Sequence, residues 1–224
     1  MVTVDIIMNE LQAGIHEGTV KRYKKIGEPE PYFGVPMGYI SKVAKAHKQA
    51  AHLFMPLWRT RNVDAQHCAI LLAVPESITN EELAECVDDT VSLNVLDKLV
   101  DKVLSKRRDA TDWKHQLKAS DSVISQRLGW GMEVRHIISK QANHEEVARL
   151  LAVIEAELVA APELVKWTMN RCLVEIAVYY PELREQVLQL GEQLAVYKNM
   201  KVAKGCTSAY APDWIKAVLK RQEI

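Results

Sequence analysis

The sequence predicts an all-α protein, and two observations carry that prediction. The first is composition: the 224 residues include only nine glycines and eight prolines, so the residues that punctuate strands and turns are scarce. The second is spacing, because apolar residues recur three and four positions apart along the whole chain, which is the period of an amphipathic helix. Ordinary helix and loop lengths then give roughly a dozen helices joined by short links.

Segments of the N-terminal half give the first elements in order. The segment VDIIMNELQAGI starts the chain as a helix. The segment EPEPYFGVPMGY interrupts the helical period with three prolines and two glycines, so it is predicted to be a loop. The segment ISKVAKAHKQAAHLF is amphipathic, and VDAQHCAILLAV is short and apolar.

Capping signals mark further helix starts. In a capping box the N-cap side chain and an acid three residues later satisfy each other's backbone N–H groups. The pairs that fit this pattern are Thr79 with Glu82 and Asn143 with Glu146. Asp121 or Ser122 is placed to cap the helix that follows. Pro162 and Pro181 fit the first position of a helix, where a missing N–H costs nothing.

Two consecutive segments near the C-terminus are similar. PELVKWTMNRCLVEIAVYY and PELREQVLQLGEQLAVYK each open with PEL and close on AVY. Stacked helix pairs of a HEAT-type solenoid would hide such apolar stripes, and two unrelated helices with similar starts are the alternative. The polar stretch 109–120 is too short for an interdomain linker, so one domain is predicted over residues 1–224.

Bulk composition limits the function classes. The formal net charge is zero, which gives no support for nucleic-acid binding, although a local basic face depends only on where the charges lie. Cys68, Cys86, Cys172 and Cys206 show no C-x-x-C spacing, so a reducing, cytoplasmic location is expected, without disulfides or zinc. The N-terminus does not resemble a signal peptide, and no apolar run approaches a membrane span. A monomer without metal, cofactor or membrane partner is expected.

Asp97 and Arg127 are charged residues on predicted apolar helix faces. Asp97 falls four residues after Leu93 and three before Val100, and Arg127 shares a face with Val134. Burying a lone charge is expensive, so such groups are paired or line a groove filled with water or ligand. Two interpretations stay open: an internal Asp97–Arg127 ion pair, or a concave groove in which both residues face a charged polymer.

Basic residues support the groove interpretation. A third helix offers Arg171, one turn after Trp167. Lysine and arginine can neutralise phosphates and release counterions, while a solvated helix surface is the alternative for any one cluster. The densest positive cluster contains Lys102, Lys106, Arg107 and Arg108. Further lysines occur towards the C-terminus at Lys198, Lys201 and Lys204.

Common catalytic motifs do not occur in the sequence. There is no G-x-G-x-x-G and no P-loop, and the histidines are too dispersed for a metal site. The segment KGCTSAYAPDWI contains Cys206 and two hydroxyl residues, but no base or orienting group accompanies them. We interpret this segment as a structured cap over the last helix pair, anchored by Trp214.

Six segments occur in the order of the motifs of one known family. They are YFGVP, LW followed by AQHCAILLA, VSLNVLDKL, ISQRLGW, VKWTMNRCLVEIA and KGCTSAYAPDWI, of which the last is the most specific. They cover most of the chain and resemble the HEAT-like glycosylases of the DNA alkylation repair family. The resemblance implies an α-α superhelix of HEAT-like helical pairs whose concave face binds double-stranded, alkylated DNA.

The resemblance also implies site residues. The family's catalytic acid falls on Asp97, and its phosphate-contacting arginine falls on Arg127. The family excises cationic purines of the 3-methyladenine and 7-methylguanine type, with a carboxylate that stabilises an oxocarbenium-like transition state. Its two lesion-facing tryptophans, which hold the cation on aromatic faces, fall on Leu93 and Arg171. Weaker excision is therefore expected, because leucine has no aromatic face and arginine repels a cation.

The predicted function is binding of duplex DNA and hydrolysis of the N-glycosidic bond of cationic alkylated purines, with Asp97 as the catalytic acid. DNA contacts are predicted for Arg127, Arg171, Lys102, Lys106, Arg107 and Arg108. One alternative is a relative that binds DNA without excision, which the lost aromatics favour. Another is a HEAT-type scaffold that binds protein, which the neutral net charge favours. Trp130 or Trp167 could replace the missing aromatics.

Overall fold

The computed structural model describes residues 2–89, 92–203 and 205–222, with the backbone alone for residues 88 and 89. Lys204 lies outside these ranges. Thirteen α-helices and no strand occur in the described residues, so the all-α prediction is confirmed. None of these helices is long and apolar enough to cross a membrane. The chain packs into two compact units, Met1–Ala110 and Thr111–Ile224, and the single domain stays a prediction.

The first unit is built around a central buried helix. Its helices are α1 (Val4–Ala13), α2 (Glu17–Ile26), α3 (Met37–Ala46), α4 (Phe54–Trp58), α5 (Val63–Leu72), α6 (Asn80–Asp89) and α7 (Leu93–Lys102). Helices α1, α3, α4 and α7 all contact α5, which is why nearly all residues of α5 are buried. The predicted amphipathic helix over ISKVAKAHKQAAHLF is shorter than expected, because α3 ends at Ala46 and the chain turns before α4.

The second unit is built around α11. Its helices are α8 (Ala110–Lys118), α9 (Val123–Ile138), α10 (His144–Glu157), α11 (Glu163–Tyr179), α12 (Arg184–Leu194) and α13 (Ala211–Gln222). Helices α9, α10, α12 and α13 contact α11, and their apolar faces form one continuous core.

The helix starts follow the capping signals of the sequence. Both predicted capping boxes form, Thr79 with Glu82 and Asn143 with Glu146. Of the two candidates before α9, Ser122 is the N-cap, and its hydroxyl accepts the Ser125 N–H. Pro162 is the N-cap of α11, one position before the predicted one, whereas Pro181 starts a 3₁₀ turn that leads into α12.

Candidate nucleic-acid interface

Asp97 lies on the exposed side of α7 and not on its apolar face. The buried residues of α7 are Val95, Leu96, Leu99 and Val100. Leu93 only borders this stripe, being half-buried. Each residue turns a helix by about 100°, so a stripe centred between Val95 and Leu96 leaves Asp97 outside it. The predicted position of Asp97 on the apolar face is therefore wrong, because its side chain is exposed to solvent.

The start of α7 is held by a buried acid that the sequence analysis missed. Ser92 is the N-cap: its Oγ accepts the Val95 N–H and donates to a carboxylate oxygen of Glu28. The Asn94 side-chain amide donates to the other Glu28 oxygen at 2.6 Å. Glu28 follows α2 and is buried, so the loop after α2 fixes the first turn of α7, the helix that carries Asp97.

A second buried acid, Asp64, organises the YFGVP loop. Its Oδ2 accepts the N–H groups of Phe33 and Gly34 at 2.7 and 2.8 Å. Its Oδ1 accepts the Val35 N–H at 3.1 Å and the Tyr23 hydroxyl at 3.2 Å. Gly34 has φ +85°, and a Cβ there would lie 2.4 Å from a Val20 methyl, so the loop requires glycine. The signal in the sequence was an acid inside the mainly apolar segment VDAQHCAILLAV.

His67 lies one turn after Asp64 on α5 and is 4% exposed. Burial lowers the pKa of this imidazole, and the carboxylates of Asp64 and Glu28 oppose that shift. Within the described part of the chain, His67 Nδ1 has no hydrogen-bond partner. The interior of the first unit therefore holds a neutral imidazole at pH 7.

The predicted phosphate-binding cluster divides into an internal arginine and exposed neighbours. Arg107 donates five hydrogen bonds of 2.7 to 2.9 Å inside the first unit, to the carbonyls of Pro75 and Ile78 and to the side chains of Asn80 and Asp109. All its N–H donors are used within the first unit, which indicates a structural role, and the DNA contact of Arg107 stays a prediction. The exposed members of the cluster are Lys102, Lys106 and Arg108, for which the contact stays a prediction.

Arg127 lies between helices of the second unit. Only 5% of its surface is exposed, and its Nη1 donates to the Leu164 carbonyl and to Thr168 Oγ1, both at 3.2 Å. This guanidinium joins α9 to α11, which gives it a structural role, and its predicted DNA contact stays a prediction. The ion-pair interpretation joins residues of different units and stays a prediction.

Trp130 does not replace the missing aromatics, because it is buried. The Lys118 ammonium lies 4.3 Å from the centre of its ring. The neighbouring Glu133 carboxylate is also buried and accepts from Lys114 at 3.1 Å and from Lys118 at 3.0 Å. A cavity of about 720 Å³ borders Lys118, Trp130 and Glu133. Lys118 and Glu133 in its wall therefore already have partners within the protein.

Trp167 is exposed and belongs to an aromatic patch, a name used here for Trp167, Tyr197 and Trp214. The Trp167 ring centre lies 5.7 Å from that of Tyr197 and 5.8 Å from that of Trp214, and 36% of Trp167 is exposed. Trp214 therefore packs against α11, and its role as the anchor of the C-terminal segment stays a prediction.

Arg171 lies one turn after Trp167 on α11, and 40% of its side chain is exposed. Its Nε lies 3.5 Å from Glu175 Oε1. Burial raises the pKa of the Glu175 carboxyl, and the Arg171 guanidinium opposes that shift. Arg171 is accessible, and its DNA contact stays a prediction.

Comparison with known proteins gives two matches. The family model described as DNA alkylation repair enzyme matches residues 7–215. A solved structure from "a new family of proteins related to the HEAT-like repeat DNA glycosylases with affinity for branched DNA structures" matches with a TM-score of 0.82 and 23% identity. The match covers 99% of this chain and 95% of that chain, and it confirms the HEAT-like helical fold. No curated protein matches the chain.

Proposed function

The chain belongs to the DNA alkylation repair enzyme family, and we propose that it binds DNA and prefers branched structures to continuous duplex. The affinity for branched DNA described for the structurally similar protein supports the proposal. The observation that carries it is the chemistry at two positions. Leu93 and Arg171 lie where the resemblance places lesion-facing tryptophans. The chain therefore keeps the family fold but lacks the aromatic faces that would contact a cationic, modified base.

The two replacements favour binding to the DNA backbone over excision. Leu93 is half-buried and aliphatic, so it offers no face for a cationic base. Arg171 is accessible and carries a positive charge that repels an alkylated purine but attracts a phosphate. An interaction of this kind depends on the shape and charge of the DNA and not on a lesion.

Binding to matched DNAs tests the proposal. The protein is titrated onto a continuous duplex, a three-way junction and a four-way junction of the same arm sequences, over a range of salt concentrations. We expect tighter binding to the junctions and an affinity that falls steeply with salt, because phosphate contacts release counterions. Equal affinity for all three DNAs would contradict the preference for branches. Absence of salt-dependent binding would instead favour a scaffold that binds protein.

Excision at Asp97 is the second candidate, and the exposure of this carboxylate favours it. A carboxylate beside the sugar would stabilise an oxocarbenium-like transition state and position the attacking water. The test is incubation with methylated duplex DNA, scored for free bases and abasic sites. The Asp97→Asn variant should lose any excision and keep its affinity for DNA. Equal excision by both proteins would remove Asp97 from the reaction.

A further inference from the structure

The aromatic patch is built onto a defined framework in the second unit. The Tyr197 hydroxyl donates to Glu163 Oε1 at 2.7 Å, which joins the chain after α12 to the first turn of α11. The buried Asn170 side chain donates to the Ala209 carbonyl at 2.8 Å. Arg221 on α13 donates to Thr207 Oγ1 at 2.7 Å. These bonds hold residues 195–203 and 205–210, which we call the C-terminal loop, against α11 and α13.

The C-terminal loop and α13 carry an excess of positive charge next to the patch. The basic residues in the described ranges 195–203 and 205–222 are Lys198, Lys201, Lys216, Lys220 and Arg221, and Asp213 is the acid among them. Lys198 directly follows Tyr197 in the chain, so one lysine leaves the backbone beside the patch itself. The neutral net charge of the whole chain hides this local concentration.

Apolar side chains are also exposed on this basic loop. Met200 is 46% exposed and Val202 is 42% exposed, and they alternate with Lys198 and Lys201. An exposed apolar group between lysines suits contact with the bases of a strand whose phosphates the lysines hold.

We propose that the aromatic patch and the C-terminal loop form a binding site for an unpaired DNA base and its flanking phosphates. The exposed Trp167 ring stacks on the base, and Lys198 and Lys201 hold the phosphates on either side. This inference rests on the proposed function and deepens it, because it names the part of a branched DNA that the second unit recognises.

Stacking explains why the site selects unpaired bases. In a continuous duplex both faces of each base are covered by its neighbours, so an aromatic side chain on a protein surface cannot stack on them. At a branch or gap an unpaired base has a free face, and aromatic stacking accepts any base because each one has a π-face. The packing of Trp167 against Tyr197 and Trp214 restricts its ring before binding, which lowers the entropy lost on stacking.

Two DNAs and two substitutions of Trp167 test the site. The DNAs have the same length and sequence, and one contains a short gap of unpaired thymines. Fluorescence anisotropy of labelled DNA gives the affinity of wild type, Trp167→Leu and Trp167→Phe at one salt concentration. We expect Trp167→Leu to bind gapped DNA about tenfold more weakly and to bind continuous duplex as wild type does. Trp167→Phe keeps most of the affinity for gapped DNA, because it retains an aromatic face.

Controls separate this inference from the proposed function and from a folding defect. Val159→Ala shortens an exposed apolar side chain of the second unit outside the patch and should leave both affinities unchanged. The pair Lys198→Gln and Lys201→Gln lies on an exposed loop and should lower the salt slope for gapped DNA by about one per lysine. One outcome is that wild type binds branched DNA while Trp167→Leu binds gapped DNA as tightly as wild type does. In that case the stacking site is wrong and the proposed function stands. If wild type binds no DNA, both are wrong.

Discussion

The two units bury an acid in different ways. In the first unit, Asp64 accepts three backbone N–H groups of the YFGVP loop and one tyrosine hydroxyl. In the second unit, Glu133 accepts from the ammonium groups of Lys114 and Lys118. The partners of Asp64 are therefore mainly main-chain groups, which persist when a side chain is shortened or changed, whereas the partners of Glu133 are side chains. A buried carboxylate is hard to replace when the backbone depends on it, and replaceable when side chains do.

The largest expected effect is that of Asp64→Ala. Three buried N–H groups and the Tyr23 hydroxyl would lose their acceptor, which should lower the free energy of unfolding by about 3 kcal/mol or more. Urea denaturation measures the loss, and hydrogen exchange of amides 33–35 should show that this loop opens first. Asp5→Ala, at an exposed acid in the first turn of α1, should cost about 0.5 kcal/mol. A small loss for Asp64→Ala would mean that water satisfies the loop amides.

A triple substitution in the second unit sharpens the contrast. Glu133→Met alone leaves two ammonium groups without their counter-charge and should cost about 3 kcal/mol. Combining it with Lys114→Met and Lys118→Met removes those charges and should recover most of the loss in urea denaturation. In the first unit, adding Tyr23→Phe to Asp64→Leu should recover little, because the three amides still lack an acceptor. A triple variant as unstable as Glu133→Met would break the comparison.

An internal and an exposed arginine extend the comparison to DNA binding. Arg107→Ala should lower the free energy of unfolding by about 2 kcal/mol, because it leaves the Pro75 and Ile78 carbonyls without their donor, and should leave the affinity for DNA unchanged. Arg171→Ala should leave the free energy of unfolding unchanged and should weaken DNA binding by about 1 kcal/mol through the loss of a phosphate contact. Thermal melting and DNA titration of both variants measure the two effects. Weaker DNA binding by a folded Arg107→Ala variant would show that Arg107 contacts DNA.

The smallest expected effect is a difference in the pH dependence of stability. Burial lowers the His67 pKa from its ordinary 6.5, so below pH 6.5 the unfolded chain binds a proton that the folded chain does not, and stability falls as pH falls. Burial raises the Glu175 pKa from its ordinary 4.5, so just above pH 4.5 the folded chain keeps a proton that the unfolded chain has lost. The contribution of Glu175 to the free energy of unfolding therefore rises as pH falls. Melting temperatures between pH 7 and pH 4.5 should show each contribution disappear in His67→Gln and Glu175→Gln. His67→Gln should differ in this respect from His52→Gln, which changes an exposed imidazole.

Features that depend on neighbours along the chain were predictable from the sequence. The capping boxes at Thr79 and Asn143 need only a side chain and an acid three residues later, so the pattern gives the contact directly. The same applies to the loop at YFGVP, where prolines and glycines exclude a helix. The face of α7 that is buried was harder to predict, since Leu93, Leu96 and Val100 fit one stripe and Val95, Leu96 and Leu99 fit another.

The sequence by itself determined the helical class, most of the helix starts and the family, because these follow from local spacing and from motifs in order. Only the tertiary structure decided what each charged side chain does. Asp97 is exposed, Arg107 and Arg127 are internal, and Asp64 supports a loop about thirty residues away in the chain. The physical reason is that a charge on a helix gives no information about its partners, which come from other elements and are brought together only when the helices pack.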